Sequence, residues 1–109
     1  MWLFNNLPRK QLADKYEFDP TPEWTEHVMK SSVRFNSGGS GSFVSSTGLV
    51  LTNHHVGADA LQKLSNAGHD YYQEGFLAKT QVEEIRAPDL ELNVLQSIED
   101  VTDRVVAAV

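Results

Sequence analysis

The sequence predicts an α+β fold, with short antiparallel strands set between helices. Three observations predict it. Residues 32–52 alternate brief apolar runs with Gly- and Ser-rich turns. Helix-start signals stand at Pro8 and at Thr21-Pro22-Glu23. After His55 the apolar residues change to helical spacing.

Taken in order, residues 1–7 are apolar and aromatic, and Pro8 opens a short helix over 9–16. Asp19-Pro20 breaks the chain. Thr21 caps the next helix, near 22–31, with Pro22 in its first turn and Glu23 and Glu26 toward the positive end of its dipole. Trp24 and Val28 share a face four residues apart, and Trp2, Phe4 and Trp24 read as core packing. Ser32 to Asn36 is a first strand, with Val33 and Phe35 on one side. Ser37-Gly38-Gly39-Ser40-Gly41 is a turn. It is not a dinucleotide loop, because the third glycine is missing and Phe43-Val44 continues as strand. Ser42 to Ser45 and Leu49 to Thr52 form a hairpin about Ser46-Thr47-Gly48, where Gly supplies positive φ.

The helix that follows, near 57–66, carries a stripe of Val56, Ala60, Leu61 and Leu64, and Gly68 is expected as a left-handed stop. Residues 69–79 hold Tyr71, Tyr72 and Phe76 without a clear period and read as a loop or short helix. A strand is expected over Glu83 to Arg86 and a half-buried one over 90–98, where Leu90, Leu92, Val94 and Ile98 share a side. Val101, Val105 and Val106 return to helical spacing, giving a last helix near 100–109.

Composition narrows the functional classes. The chain has 109 residues, room for one small domain. Its net charge of -6 argues against nucleic acid, which requires a basic face. Charge is uneven: residues 35–58 contain no Asp, Glu, Lys or Arg, as expected of a hairpin leading into a cleft. There is no cysteine, so thiols do not report the redox compartment. No run of 18 apolar residues is present, so no membrane span is expected, and no signal-peptide pattern precedes Met1-Trp2-Leu3-Phe4.

The chemistry concentrates at Thr52-Asn53-His54-His55-Val56, where a strand gives way to a helix. Four histidines are available: His27, His54, His55 and His69. A metal site at His54-His55 is disfavoured. Adjacent residues diverge, and a His-x-x-x-His or Cys partner is missing. A packed and a hydrogen-bonded histidine would be the plain alternative. Gly48, Thr52 and His55, spaced Gly-x-x-x-Thr-x-x-His at such a junction, instead suit a general base held at the end of a strand.

At these residues the sequence resembles a known family. Gly48-Leu49-Val50-Leu51-Thr52-Asn53-His54-His55 is similar to the catalytic-histidine segment of trypsin-like serine peptidases. It is most similar to the bacterial serine dipeptidyl peptidases of types VII and XI, which remove dipeptides from free N-termini. Met1-Trp2, Gly38-Gly39, Ser42-Phe43-Val44-Ser45, Gly75-Phe76 and Glu99-Asp100-Val101-Thr102 extend the resemblance over nearly the whole chain.

The resemblance implies a trypsin-like double β-barrel, of which residues 32–52 and 82–98 would be a partial antiparallel barrel. It implies a Ser-His-Asp triad with His55 as the base and His54 structural, no cofactor, and a peptide substrate with a free N-terminus. It also implies a homodimer located in the periplasm or at the cell surface. Family members are several times longer, so residues 1–109 look like the N-terminal portion of such a peptidase domain. The triad Ser and Asp would lie elsewhere, and Asp59, Asp89 and Asp100 do not match the family's aspartate segment. Such a portion is expected to be inactive by itself and, with apolar edges exposed, to dimerise or swap segments. The family also bridges the Gly-Gly turn to the residue after the second histidine with two cysteines. Here those positions correspond to Val56 and about Gly39, so this chain resembles a member without the bridge. The alternative function is a non-catalytic protein using a peptidase-like barrel to bind peptides or proteins.

Overall fold

The structure is a computed structural model that describes residues 2–109. Met1, half of the Met-Trp opening, lies outside the described residues. The chain forms two compact units, residues 32–93 and residues 1–31 with 94–109.

In the second of these, helix α1 spans Arg9–Tyr16 and α2 spans Pro22–Ser31. Both match the expected ranges, with Pro8 one residue earlier than expected, at the cap of α1. Helix α1 ends on Glu17 in the left-handed region (φ 51°), an unmarked stop in the sequence. Thr21 caps α2 as predicted: its hydroxyl accepts from the Trp24 amide at 3.1 Å. Trp24 meets Phe18 edge-on, with ring centroids 5.0 Å apart, and Pro20 is fully buried. Trp2 and Trp24 nevertheless stay exposed, at 62% and 43%, so the reading of these two as core does not hold, while Phe4 is half-buried. Aromatic bulk is buried only where a second surface covers it, and these 47 or so positions supply too little of one.

In the unit of residues 32–93, strands β1 (Ser32–Phe35), β2 (Ser40–Phe43) and β3 (Val50–Thr52) form an antiparallel meander. With β4 (Leu92–Val94), the sheet order is β3-β2-β1-β4. The α+β class holds, and the sheet is not closed into a barrel. The register pairs Val33 with Gly41 and Gly41 with Thr52, which aligns Val33, Phe35, Gly41, Phe43, Val50 and Thr52 on one face. Val33 and Phe35 are both 3% exposed and form the buried centre with Val56, at 7%. Gly41 is required there, because a Cβ would stand 2.8 Å from the Leu51 carbonyl oxygen and 3.0 Å from the Phe35 ring.

Helix α3 spans His54–Leu64, not 57–66. Asn53 is extended and acts as the cap, so the histidines form the first turn instead of preceding it. Gly68 is not the stop: Ser65 ends α3 in extended backbone, with its hydroxyl donating to the Leu61 carbonyl at 2.9 Å. Asn66 and His69 then exchange backbone hydrogen bonds around a tight turn. Helix α4 (Tyr71–Glu74) follows. The strand expected over 83–86 is a 3-10 turn at Gln81–Glu83, because Glu83 closes a capping box with Thr80. The strand expected over 90–98 contracts to β4, and the last helix contracts to α5 (Thr102–Val106), which starts where the Asp100 carboxylate accepts from the Thr102 amide and hydroxyl.

Candidate active site

Backbone constraints fix the segment 52–56 from both sides. The Thr52 hydroxyl donates to the Ser40 carbonyl at 2.8 Å, tying the end of β3 to the start of β2. The Ser45 hydroxyl oxygen accepts from the Thr47 and Leu49 amides and closes the hairpin turn, where Gly48 has φ 93° as expected. One turn later Val56 presses against Gly39. A Cβ on Gly39 would lie 2.5 Å from Val56 Cγ2 and 3.5 Å from Val56 Cβ. Gly39 also has φ +94°, so any side chain there is strained as well as crowded. The structure thus brings Gly39 and Val56, 17 positions apart in sequence, into contact. The Cβ separation lies at the short end of the disulfide range, roughly 3.5–4.5 Å.

His54 and His55 follow in the first turn of α3. The His54 ring meets Tyr72, with centroids 5.6 Å apart and a 60° tilt. His55 is exposed and lines an open cleft of about 870 Å³ with Asp59, Gln62, Asp70, Tyr72 and Gln73. Both histidines are exposed, and Tyr72, which the His54 ring meets, lines the same cleft as His55. His27 lies on α2, and His69 stacks on Tyr71 at a 9° interplanar angle. Among the described residues, no group of three or more His, Cys, Asp or Glu is placed to hold a metal ion.

The three aspartates have partners of their own, Asp59 within the cleft lining. Asp59 pairs with Lys63 at 2.8 Å, and Asp89 lies 3.9 Å from the same ammonium. The hydrogen bond and charge of Asp59, followed by the charge of Asp89, raise the Lys63 pKa above its ordinary value. Asp100 caps α5, and its hydrogen bonds from Thr102 hold its carboxyl below the ordinary range. Sequence reasoning did not find Tyr72 and the cleft wall at Asp70 and Gln73. Their only signal was an aperiodic aromatic stretch, and helix α4 brings them to the cleft.

Known proteins match this arrangement along the whole chain. The Peptidase S46 family profile matches residues 1–109. Dipeptidyl-peptidase 7 of Porphyromonas endodontalis is 39% identical over 116 residues, covering 100% of this chain and 14% of that protein. The Asp/Glu-specific dipeptidyl-peptidase of Porphyromonas gingivalis is 37% identical, covering 96% of this chain and 15% of that protein. The crystal structure of Porphyromonas endodontalis DPP11 in complex with the dipeptide Arg-Glu superposes with a TM-score of 0.82 at 33% identity, covering 99% of this chain and 17% of that one. The chain therefore spans about a seventh of the length of the relatives it matches. With its histidine segment, hairpin and clamp all inside that match, the chain belongs to the Peptidase S46 family.

Proposed function

We propose that residues 1–109 are the part of a serine dipeptidyl peptidase that supplies the general base, His55. The carrying observation is the exposed His55 lining an open cleft, on a helix turn clamped by Thr52–Ser40 and Val56–Gly39. A serine hydroxyl is protonated at neutral pH and needs a neutral imidazole within about 3 Å to take its proton as it attacks the carbonyl. The same imidazole returns that proton to the departing amine. A first turn locked on both sides holds the ring at one place through both transfers. The serine and the aspartate that orients the ring come from the rest of the protein, and residues 1–109 alone are inert.

The substrate in this reading is a peptide with a free N-terminus, from which a dipeptide is released. The relatives' names and the dipeptide bound to DPP11 support it. The retained His55 favours this over a binding-only role. The same reading has the sheet completed as a trypsin-like barrel in a homodimeric, periplasmic or surface-located protein. Sedimentation and cell fractionation of the full-length protein test those two properties. The decisive experiment is His55→Ala in the full-length protein, assayed by dipeptide release at matched folding. Turnover falls by several orders of magnitude, on the scale of the roughly 10⁶-fold loss known for the histidine of subtilisin. A mutant within about tenfold of wild type, ~1.4 kcal/mol, removes His55 from the mechanism.

A further inference from the structure

The cleft of His55 lies between α3 and α4, inside the unit of residues 32–93. Helix α3 presents His55, Ala58 and Asp59 to it, and α4 presents Tyr72 and Gln73. Apart from Ala58 and Tyr72 the lining side chains end in polar groups, so Tyr72 supplies the large apolar surface of the cleft.

The two adjacent tyrosines of α4 are used differently. Tyr71 stacks on His69 at 5.7 Å and meets Phe76 edge-on at 5.3 Å, so its ring has protein on both counts. Tyr72 meets His54 at 5.6 Å and remains 44% exposed. Its short helix is pinned at the start, where the Asp70 carboxylate accepts from the Gln73 amide at 3.2 Å and the Asp70 carbonyl from the Glu74 amide at 2.8 Å. A ring already held against His54 loses little further freedom when a ligand packs on it.

The chemistry of His55 says which part of a substrate comes to this cleft. In the proposed reaction the imidazole returns the serine proton to the departing amine. That transfer requires hydrogen-bond reach, about 3 Å. In a peptide cut after its second residue, the departing amine is the backbone nitrogen of the third. The third residue therefore enters beside His55, and the lining of the cleft receives its side chain.

We infer that Tyr72 is a specificity-determining residue of the peptidase: its ring packs on the side chain of the substrate's third residue and favours large apolar and aromatic ones. This rests on the reading of His55 as the base and extends it to the leaving side of the substrate. Discrimination of this kind is read as a ratio of kcat/KM values.

The test uses the full-length protein and two peptides. They share a first dipeptide that the enzyme releases and differ at the third residue, Phe or Gly. The wild type cuts the Phe peptide with a kcat/KM about fivefold higher, the scale of one aromatic contact. Tyr72→Phe keeps that preference, and Tyr72→Ala and Tyr72→Gln each bring the ratio to about one. Both peptides are cut by the same preparation, so the ratio does not depend on the fraction that is folded. A wild-type ratio near one, or a ratio that Tyr72→Ala and Tyr72→Gln leave unchanged, overturns the inference. So does a variant that changes discrimination at the first or second residue and not at the third. His55→Ala is the control that separates the two readings. A nearly inactive His55→Ala with a ratio insensitive to Tyr72 sinks this inference alone, whereas a His55→Ala enzyme that keeps its turnover removes the base and this subsite with it.

Discussion

His55 and His54 differ in what their rings meet, and their substitutions separate accordingly. Loss of the His55 ring leaves the described contacts of the clamp intact, so under the proposed role its cost is expected on turnover and not on stability. Loss of the His54 ring removes the contact with Tyr72. In the full-length protein His54→Ala is expected to lower activity through stability, by about 1 kcal/mol, seen as a drop in Tm of a few degrees. Abolished turnover at unchanged Tm for His54→Ala, with an active His55→Ala, would reverse the two assignments. Gly39 is the sharpest structural residue. Gly39→Ala meets Val56 at 2.5 Å and is strained at φ +94°. Its cost is expected at about 2 kcal/mol or more. Adding Val56→Ala relieves the steric part and leaves the backbone part. A double-mutant cycle therefore shows a positive coupling between the two sites; independent costs would place the clamp elsewhere.

At the scale of elements, α2 and α5 start at polar hydrogen bonds and not at buried contacts. No residue of α1, α2 or α5 is buried. Thr21→Ala removes the side-chain acceptor for the Trp24 amide and is expected to cost about 1 kcal/mol, with exchange of the Trp24 amide rising first. Glu23 and Asp100 are both held below their ordinary values. For Glu23 the cause is a hydrogen bond with its own amide and then one with the Thr21 side chain; for Asp100 it is the hydroxyl and then the amide of Thr102. A carboxyl with a depressed folded pKa stabilises above its unfolded value, and that contribution is lost as pH falls through the folded value. Amide shifts of Trp24 and Thr102 should therefore move together with acidification below the ordinary carboxyl range, and Asp100→Asn should abolish the response at Thr102 alone. Between elements, Gly39→Cys with Val56→Cys is expected to close a disulfide on oxidation, joining the β1–β2 turn to α3. The loop-closure gain of about 3 kcal/mol is partly offset by the positive φ at residue 39, so Tm rises by less than an unstrained bridge would give. Two free thiols persisting under oxidised glutathione would contradict the packing of Val56 on Gly39.

For the molecule as a whole, buried side chains are few: among the described residues Val33, Phe35 and Val56 form the centre of the unit 32–93, and Pro20 is buried in the other. The first three join β1 and the first turn of α3. Native-state hydrogen exchange of the free chain is expected to be slow in the β1–β2 ladder, around Val33 and Gly41, and fast in α1, α5 and the segment 77–91. Uniform protection along the chain would show a cooperative core that these side chains do not form.

What the sequence determined by itself was local. Turn glycines, the Thr21 cap and the spacing Gly48–Thr52–His55 act over a few residues, so the helices 9–16 and 22–31, the meander and the histidine junction were legible, and so was the kinship they carry. The misreadings share a cause. Trp2 and Trp24 looked like core because apolar residues usually find cover, and the strands at 83–86 and 90–98 looked continuous because alternation does not report whether a neighbouring strand is there to pair with. Only the tertiary structure decided that Gly39 faces Val56, that Tyr72 stands beside His54 and that α4 walls the cleft of His55. Each of these joins residues 17 or more positions apart along the chain. Such contacts arise from the folding of elements onto one another, and no pattern of neighbours in sequence encodes them.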